Sequence, residues 1–180
     1  MDSHARKIIL AGDPEVGKSN LFDRFSKGDC GYSYIETIHP EYCRKKIHLG
    51  KEKIPLQLVD TQGQEKFKRL GLTYFKKCSG VLLVYDISNK KSFENIRKWK
   101  KICKKNSPKN VLKVLVGNKC DLEDERQVST EDGQKYADKK GMLFFETSAK
   151  TGKNVEEVFI KIAEEMKMKD DQKKGLCCTQ

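Results

Sequence analysis

The segment Gly12-Asp13-Pro14-Glu15-Val16-Gly17-Lys18-Ser19 has the spacing G-x-x-x-x-G-K-[ST], in which glycines let a backbone loop close around phosphate. Amides of Glu15, Val16, Gly17, Lys18, Ser19 and Asn20, at the loop and at the start of a helix, are set to face an anion. The Lys18 ammonium reaches β and γ oxygens, and the Ser19 hydroxyl is a hard oxygen donor for Mg²⁺. Kinases, ATPases and GTPases share such a loop, so the base must be read elsewhere.

Asn118-Lys119-Cys120-Asp121 follows directly on an apolar run, Val111 to Gly117. A carboxylate there accepts from both the N1–H and the exocyclic amine of guanine, a pair that adenine does not present. Losing paired buried hydrogen bonds discriminates strongly. Thr147-Ser148-Ala149-Lys150 follows another such run and offers a backbone N–H to the guanine carbonyl. GTP and GDP are therefore the expected ligands, and a small-molecule kinase is disfavoured by this loop and by the lack of a lid-like insertion.

A phosphate loop needs a strand before it and a helix after it. Arg6 to Ala11 is the apolar run that enters it, and Leu21, Phe22 and Phe25, spaced i, i+1, i+4, give the following helix a buried face that stops near Gly28. Residues 28 to 40 are polar and read as a loop, with Pro40 holding His39 extended. Tyr42 to Leu49 and Lys53 to Val59 read as a hairpin around Gly50-Lys51. Strand-like runs recur at Gly80 to Asp86, Val111 to Gly117 and Met142 to Glu146, with helical stretches between them. Repeated βαβ units imply an α/β, three-layer fold of the P-loop NTPase type, its six-stranded, mostly parallel sheet covered by helices on both faces. The last helix shows Asn154 and Glu157 as a capping box and Val155, Val158, Phe159, Ile162, Ala163 and Met166 as one apolar stripe. Beyond Met166 no periodicity is visible, so the reading is a domain over 1–166 and a flexible tail over 167–180.

The chain's 180 residues suit one domain. With 37% apolar and 35% charged residues it reads as globular and soluble. No apolar run approaches the roughly 18 residues of a spanning helix, and Met1 to Lys7 lacks the apolar region of a signal peptide, so a cytosolic protein is expected. Cys30, Cys43, Cys78, Cys103 and Cys120 are scattered singly and fit neither a zinc pattern nor a disulfide framework. The formal charge of +11 comes from lysines spread along the chain without an aromatic-basic stripe, which reads as a lysine-biased surface and not as a nucleic-acid footprint.

In order and spacing, the phosphate loop, Asp60-Thr61-Gln62-Gly63-Gln64-Glu65, the Asn-Lys-x-Asp loop and Ser-Ala-Lys resemble the Ras superfamily of small GTPases. Within it the chain is most similar to the Rab family, through Tyr85-Asp86-Ile87-Ser88-Asn89, Ser92-Phe93-Glu94-Asn95-Ile96 with Trp99 beyond, and the paired Cys177-Cys178. The resemblance implies that Thr37 ligates Mg²⁺ and senses the γ-phosphate, that Asp60 holds Mg²⁺ through water, and that the Gly63 N–H meets the γ-phosphate. It implies that Gln64 orients the attacking water while Lys18 serves the transferring phosphoryl group. It further implies an exchange factor, a GTPase-activating protein, effectors and a prenyl-dependent carrier.

Departures from that pattern sit at the site. Pro14 and Glu15 replace small residues, Gln62 replaces an alanine, and Cys30 stands where relatives place an aromatic ring over the guanine, with Tyr32 as a substitute. These leave two readings: a slow GTPase that acts in vesicle traffic, or a GTP-binding switch with negligible hydrolysis. Thr37-Ile38-His39-Pro40-Glu41-Tyr42 and Val59 alter the Rab-type effector stretch. The end, Cys177-Cys178-Thr179-Gln180, satisfies a C-a-a-X box and equally a Rab-like Cys-Cys-x-x end, giving a farnesyl on Cys177 or geranylgeranyls on both. Either lipid implies peripheral attachment to the cytosolic face of an intracellular or plasma membrane.

Overall fold

The computed structural model describes residues 5–27, 41–60 and 74–177. Thr37, Gln62, Gly63, Gln64, Cys30, Tyr32 and Cys178 lie outside these segments, as does the expected loop from 28 to 40. The strands are β1 (Arg6–Ala11), β2 (Glu41–Leu49), β3 (Glu52–Asp60), β4 (Gly80–Asp86), β5 (Leu112–Asn118) and β6 (Leu143–Glu146). The helices among the described residues are α1 (Lys18–Lys27), α2 (Lys90–Asn106), α3 (Thr130–Lys140) and α4 (Val155–Cys177).

The six strands form one sheet in the order β2-β3-β1-β4-β5-β6. Only the β2–β3 hairpin is antiparallel, with Leu49 opposite Glu52 across the expected turn. The expected α/β architecture is therefore present. Because the other pairings are parallel, the ends of β1, β3, β4, β5 and β6 all open onto one edge, where ligands of such sheets collect.

Alternation along the strands divides the core in two. Ile8 and Leu10 face one layer with Phe22 and Phe25 of α1 and Val158, Phe159 and Ile162 of α4. Ile9 and Ala11 face the other with Ile96 and Cys103 of α2 and Ala137 of α3. The Phe25 and Phe159 rings meet with centroids 3.8 Å apart, locking the helix that follows the phosphate loop onto the last helix. Cys78, Cys103 and Cys120 are buried and Cys43 is half-buried, and burial pushes all four thiols up, away from the reactive thiolate.

Two expectations for the chain's end are corrected. Asn154 has φ +57°, and its side-chain amide donates to the Glu146 carbonyl at 2.8 Å, so it ties the start of α4 to the end of β6 instead of forming the capping box. The boundary expected at Met166 falls inside α4, which continues to Cys177. The apolar stripe has already met the cost of nucleation, and the lysine, methionine and glutamine that follow propagate helix well. Arg6 also pairs with Asp170, and Lys167 with Glu52 at 2.7 Å, fastening the extension to β1 and β3.

Tyr85, fully buried in β4, has its hydroxyl against Gly117 and Gly133, where an added Cβ would come within 2.7 Å of it. That hydroxyl has no hydrogen-bond partner among the described residues, and a buried unmade hydrogen bond costs roughly 1–3 kcal/mol. Tyr85→Phe is expected to stabilise the fold by about 1 kcal/mol in equilibrium urea denaturation.

Candidate functional site

The phosphate loop is shaped by what packs against it. A Cβ on Gly12 would lie 2.2 Å from the Val84 carbonyl oxygen, and one on Gly17, at φ +87°, would lie 2.4 Å from Asn118 Nδ2. Only glycine fits either place. Val16 is buried in the core between them, so the loop is anchored from beneath.

Lys18 is 5% exposed, and its Nζ donates to the Asp13 carbonyl at 2.6 Å, curling the side chain back over the loop. Burial lowers its pKa to about 8, partly offset by the carboxylates of Asp60 and Asp13. The Asp13 carboxylate is held from α2: Asn95 Nδ2 donates to it at 2.6 Å and Trp99 Nε1 at 2.8 Å. Ser19 Oγ donates to Asp60 Oδ2 at 2.5 Å, joining the start of α1 to the end of β3, and Asp60 is fully buried.

The other side of the site is built around Asn118. Its Nδ2 donates to the Val16 carbonyl at 2.9 Å, and its Oδ1 accepts from Thr147 Oγ1 at 3.1 Å and from the Ala149 N–H at 3.3 Å. Asn118 is expected against the guanine, and a backbone N–H of Thr147-Ser148-Ala149-Lys150 against its carbonyl. In the structure the Asn118 side chain spans three loops, and the Ala149 N–H turns toward it. Asp121 Oδ1 accepts from Ser148 Oγ at 2.6 Å, which orients the carboxylate expected to read guanine. Lys119, at φ +63°, directs its Nζ to Asp86 Oδ2 at 2.6 Å. Lys150 is exposed, with its carbonyl facing α1.

Arg24 of α1 escaped the sequence reading. Its Nε donates to the Ala149 carbonyl at 2.9 Å and a terminal nitrogen to the Lys150 carbonyl at 2.6 Å, so the helix after the phosphate loop also clamps the base-side loop. An arginine on the polar face of a helix carries no local signal of this role. Asp13, Asn95 and Trp99 were visible as motif members, but not as one another's partners.

Glu15 is exposed at φ +64°, so its side chain projects outward while its backbone takes a left-handed conformation. That conformation costs a non-glycine residue roughly 1–2 kcal/mol. Glu15→Gly is expected to raise stability by about 0.5 to 1 kcal/mol after glycine's greater unfolded-state entropy is subtracted. Thermal denaturation at saturating GDP measures it.

Comparison with known proteins agrees with this geometry. The Ras family profile matches residues 7–168. The chain is 46% identical over 161 residues to the GTP-binding protein ypt2 of Schizosaccharomyces pombe, covering 89% of this chain and 80% of that one. It is 42% identical over 166 residues to the Ras-related protein Rab-13 of Bos taurus, covering 92% and 82%. It is 46% identical over 164 residues to the Ras-related protein RAB1BV of Beta vulgaris, covering 91% and 76%. With phosphate-side and base-side loops on one sheet edge and such relatives over most of its length, the chain belongs to the Ras family and is a Rab-like small GTPase.

Proposed function

We propose that this protein is a Mg²⁺-dependent GTP/GDP switch that hydrolyses GTP slowly by itself and acts at a membrane in vesicle traffic. The observation that carries the reading is the pairing of Lys18 and the Ser19–Asp60 hydrogen bond with the Ser148–Asp121 hydrogen bond across a sheet edge tied together by Asn118. Phosphates lie over the loop amides from Glu15 to Asn20, and guanine lies against Asp121. Lys119, Ala149 and Lys150 line the base side. Gly63 meets the γ-phosphate.

The metal fits the donor set, because a hydroxyl beside a fully buried carboxylate is the hard-oxygen chemistry that Mg²⁺ selects while it keeps water and phosphate ligands. Ser19, Asp60 and Thr37 would hold it, and it would neutralise charge on the phosphates. Gln64 orients the attacking water, and Lys18 lies against the leaving and transferring oxygens. An exchange factor, a GTPase-activating protein and effectors act on the switch. Prenyl groups on Cys177, or on Cys177 and Cys178, hold it to the cytosolic face, and a carrier binds those lipids in transit.

A binding-only switch is the alternative, motivated by the departures at Pro14, Glu15 and Gln62 together. Single-turnover GTP hydrolysis separates the two: Gln64→Leu is expected to lower the rate by about tenfold or more, and equal rates would overturn the enzyme reading.

Lys18 supplies a pH signature. Its pKa of about 8 rises when an anionic phosphate faces the ammonium, so binding takes up a proton above that pH. GDP affinity attributable to Lys18 is flat below pH ~7 and falls as pH rises through about 8. Calorimetry in buffers of differing ionisation enthalpy is expected to show proton uptake at alkaline pH and none near neutrality.

A further inference from the structure

Lysines dispersed along the sequence converge in the fold. Parallel strands start at one edge, opposite the nucleotide loops, and the helices between them return there. That edge receives Arg6 and Lys7 at the start of β1, Lys76 and Lys77 ahead of β4, and the ends of α2 and α3. Lys104 and Lys105 close α2, Lys139 and Lys140 close α3, and all four are exposed. Lys109 precedes β5 and is exposed, and Lys113 lies near its start.

The cluster is close enough for its members to act on one another. After partial burial, the ammonium groups of Lys140, Lys113 and Lys104 are what hold Lys100 below its ordinary pKa. Ion pairs among the described residues engage Arg6, Lys119, Arg126, Lys161 and Lys167, and none of the lysines of this cluster. The carboxylates at this end are mostly engaged: Glu52 and Asp170 are taken by Lys167 and Arg6, Glu164 and Glu165 by Lys161, and Asp138 accepts from Gln134, while Asp171 is exposed.

The same edge releases α4. Its contacts at Lys167 and Asp170 fix it against the starts of β1 and β3, and the helix carries Cys177 only about 16 Å beyond Met166 at 1.5 Å per residue. We propose that this lysine-covered base of the sheet, from Lys7 across Lys104 and Lys113 to Lys140, is a docking face for an anionic bilayer. The inference rests on the membrane-associated reading above and adds to it which face meets the lipid. The nucleotide edge then points away from the bilayer, open to regulators. Charge complementarity favours lipid as occupant, because the face is broad, unpaired and set where a lipidated helix end leaves the domain.

Each lysine near such a surface is worth about fivefold in binding. The test uses the full, unlipidated, GDP-bound chain and sedimentation with phosphatidylcholine vesicles, with and without phosphatidylserine. The expected result is binding to the anionic vesicles alone, lost as salt rises from about 0.05 to about 0.3 M. The variant Lys104→Glu, Lys113→Glu, Lys140→Glu is expected to lose at least about 100-fold in binding while its GDP affinity is unchanged. A control with equal charge change at the nucleotide edge, Lys90→Glu, Lys91→Glu at the start of α2 and Lys153→Glu ahead of α4, should stay within about threefold. Equal losses in the two variants would overturn the proposal, since net charge and not a face would then be at work. Absence of anionic-vesicle binding would overturn it, as would capture by polyglutamate in place of vesicles, which would give the face to an acidic protein. Prenylation is tested apart, by partition of the lipidated chain into neutral vesicles, where basic charge has no purchase, so failure of either reading is distinguishable.

Discussion

The Asn118 side chain is where the Gly12–Ser19 loop, the Asn118–Asp121 loop and the Thr147–Lys150 loop are tied into one structure. Fully engaged and 1% exposed, it gives its donor to the Val16 carbonyl under the phosphate loop and its acceptor to Thr147 and Ala149 beside Asp121. Buried hydrogen-bonded networks of this kind specify one arrangement, because each member left unpaired would carry its full desolvation cost. Gly17 must be glycine partly to admit that amide. Movement of either loop therefore strains the other.

Helix α1 reinforces this coupling by a second route. It begins at Lys18, buries Leu21, Phe22 and Phe25 in the core, and turns Arg24 onto the carbonyls of Ala149 and Lys150. One short helix thus bears on the Gly12–Ser19 loop at its start and on the Thr147–Lys150 loop nearly two turns later. The ring contact with Phe159 carries the constraint into α4, and from there to the far edge of the sheet.

Much of this was legible in the sequence where the signal is local. Strand runs, the Gly50 hairpin, the Leu21–Phe25 face and the stripe from Val155 to Met166 all rest on periodicity or turn chemistry, and the sheet follows from them. The cross-ties were not legible, because their partners are far apart along the chain: 102 residues separate Asn118 from Val16, and 125 separate Arg24 from Ala149. Asn154 misled because the same residue type that caps helices also tolerates a left-handed backbone, and here Glu146 takes its amide. The extension of α4 was missed because it is held by pairs to β1 and β3 and not by an apolar stripe.

The bond from Trp99 to Asp13 gives the protein an optical property. Trp99 is the only tryptophan in the chain, half-buried, with its indole N–H on the carboxylate of a phosphate-loop residue whose carbonyl also receives Lys18. Indole emission responds to the charge and solvation at that nitrogen. The native chain thus carries a single indole wired to the phosphate loop, and rearrangement of that loop becomes visible without any label.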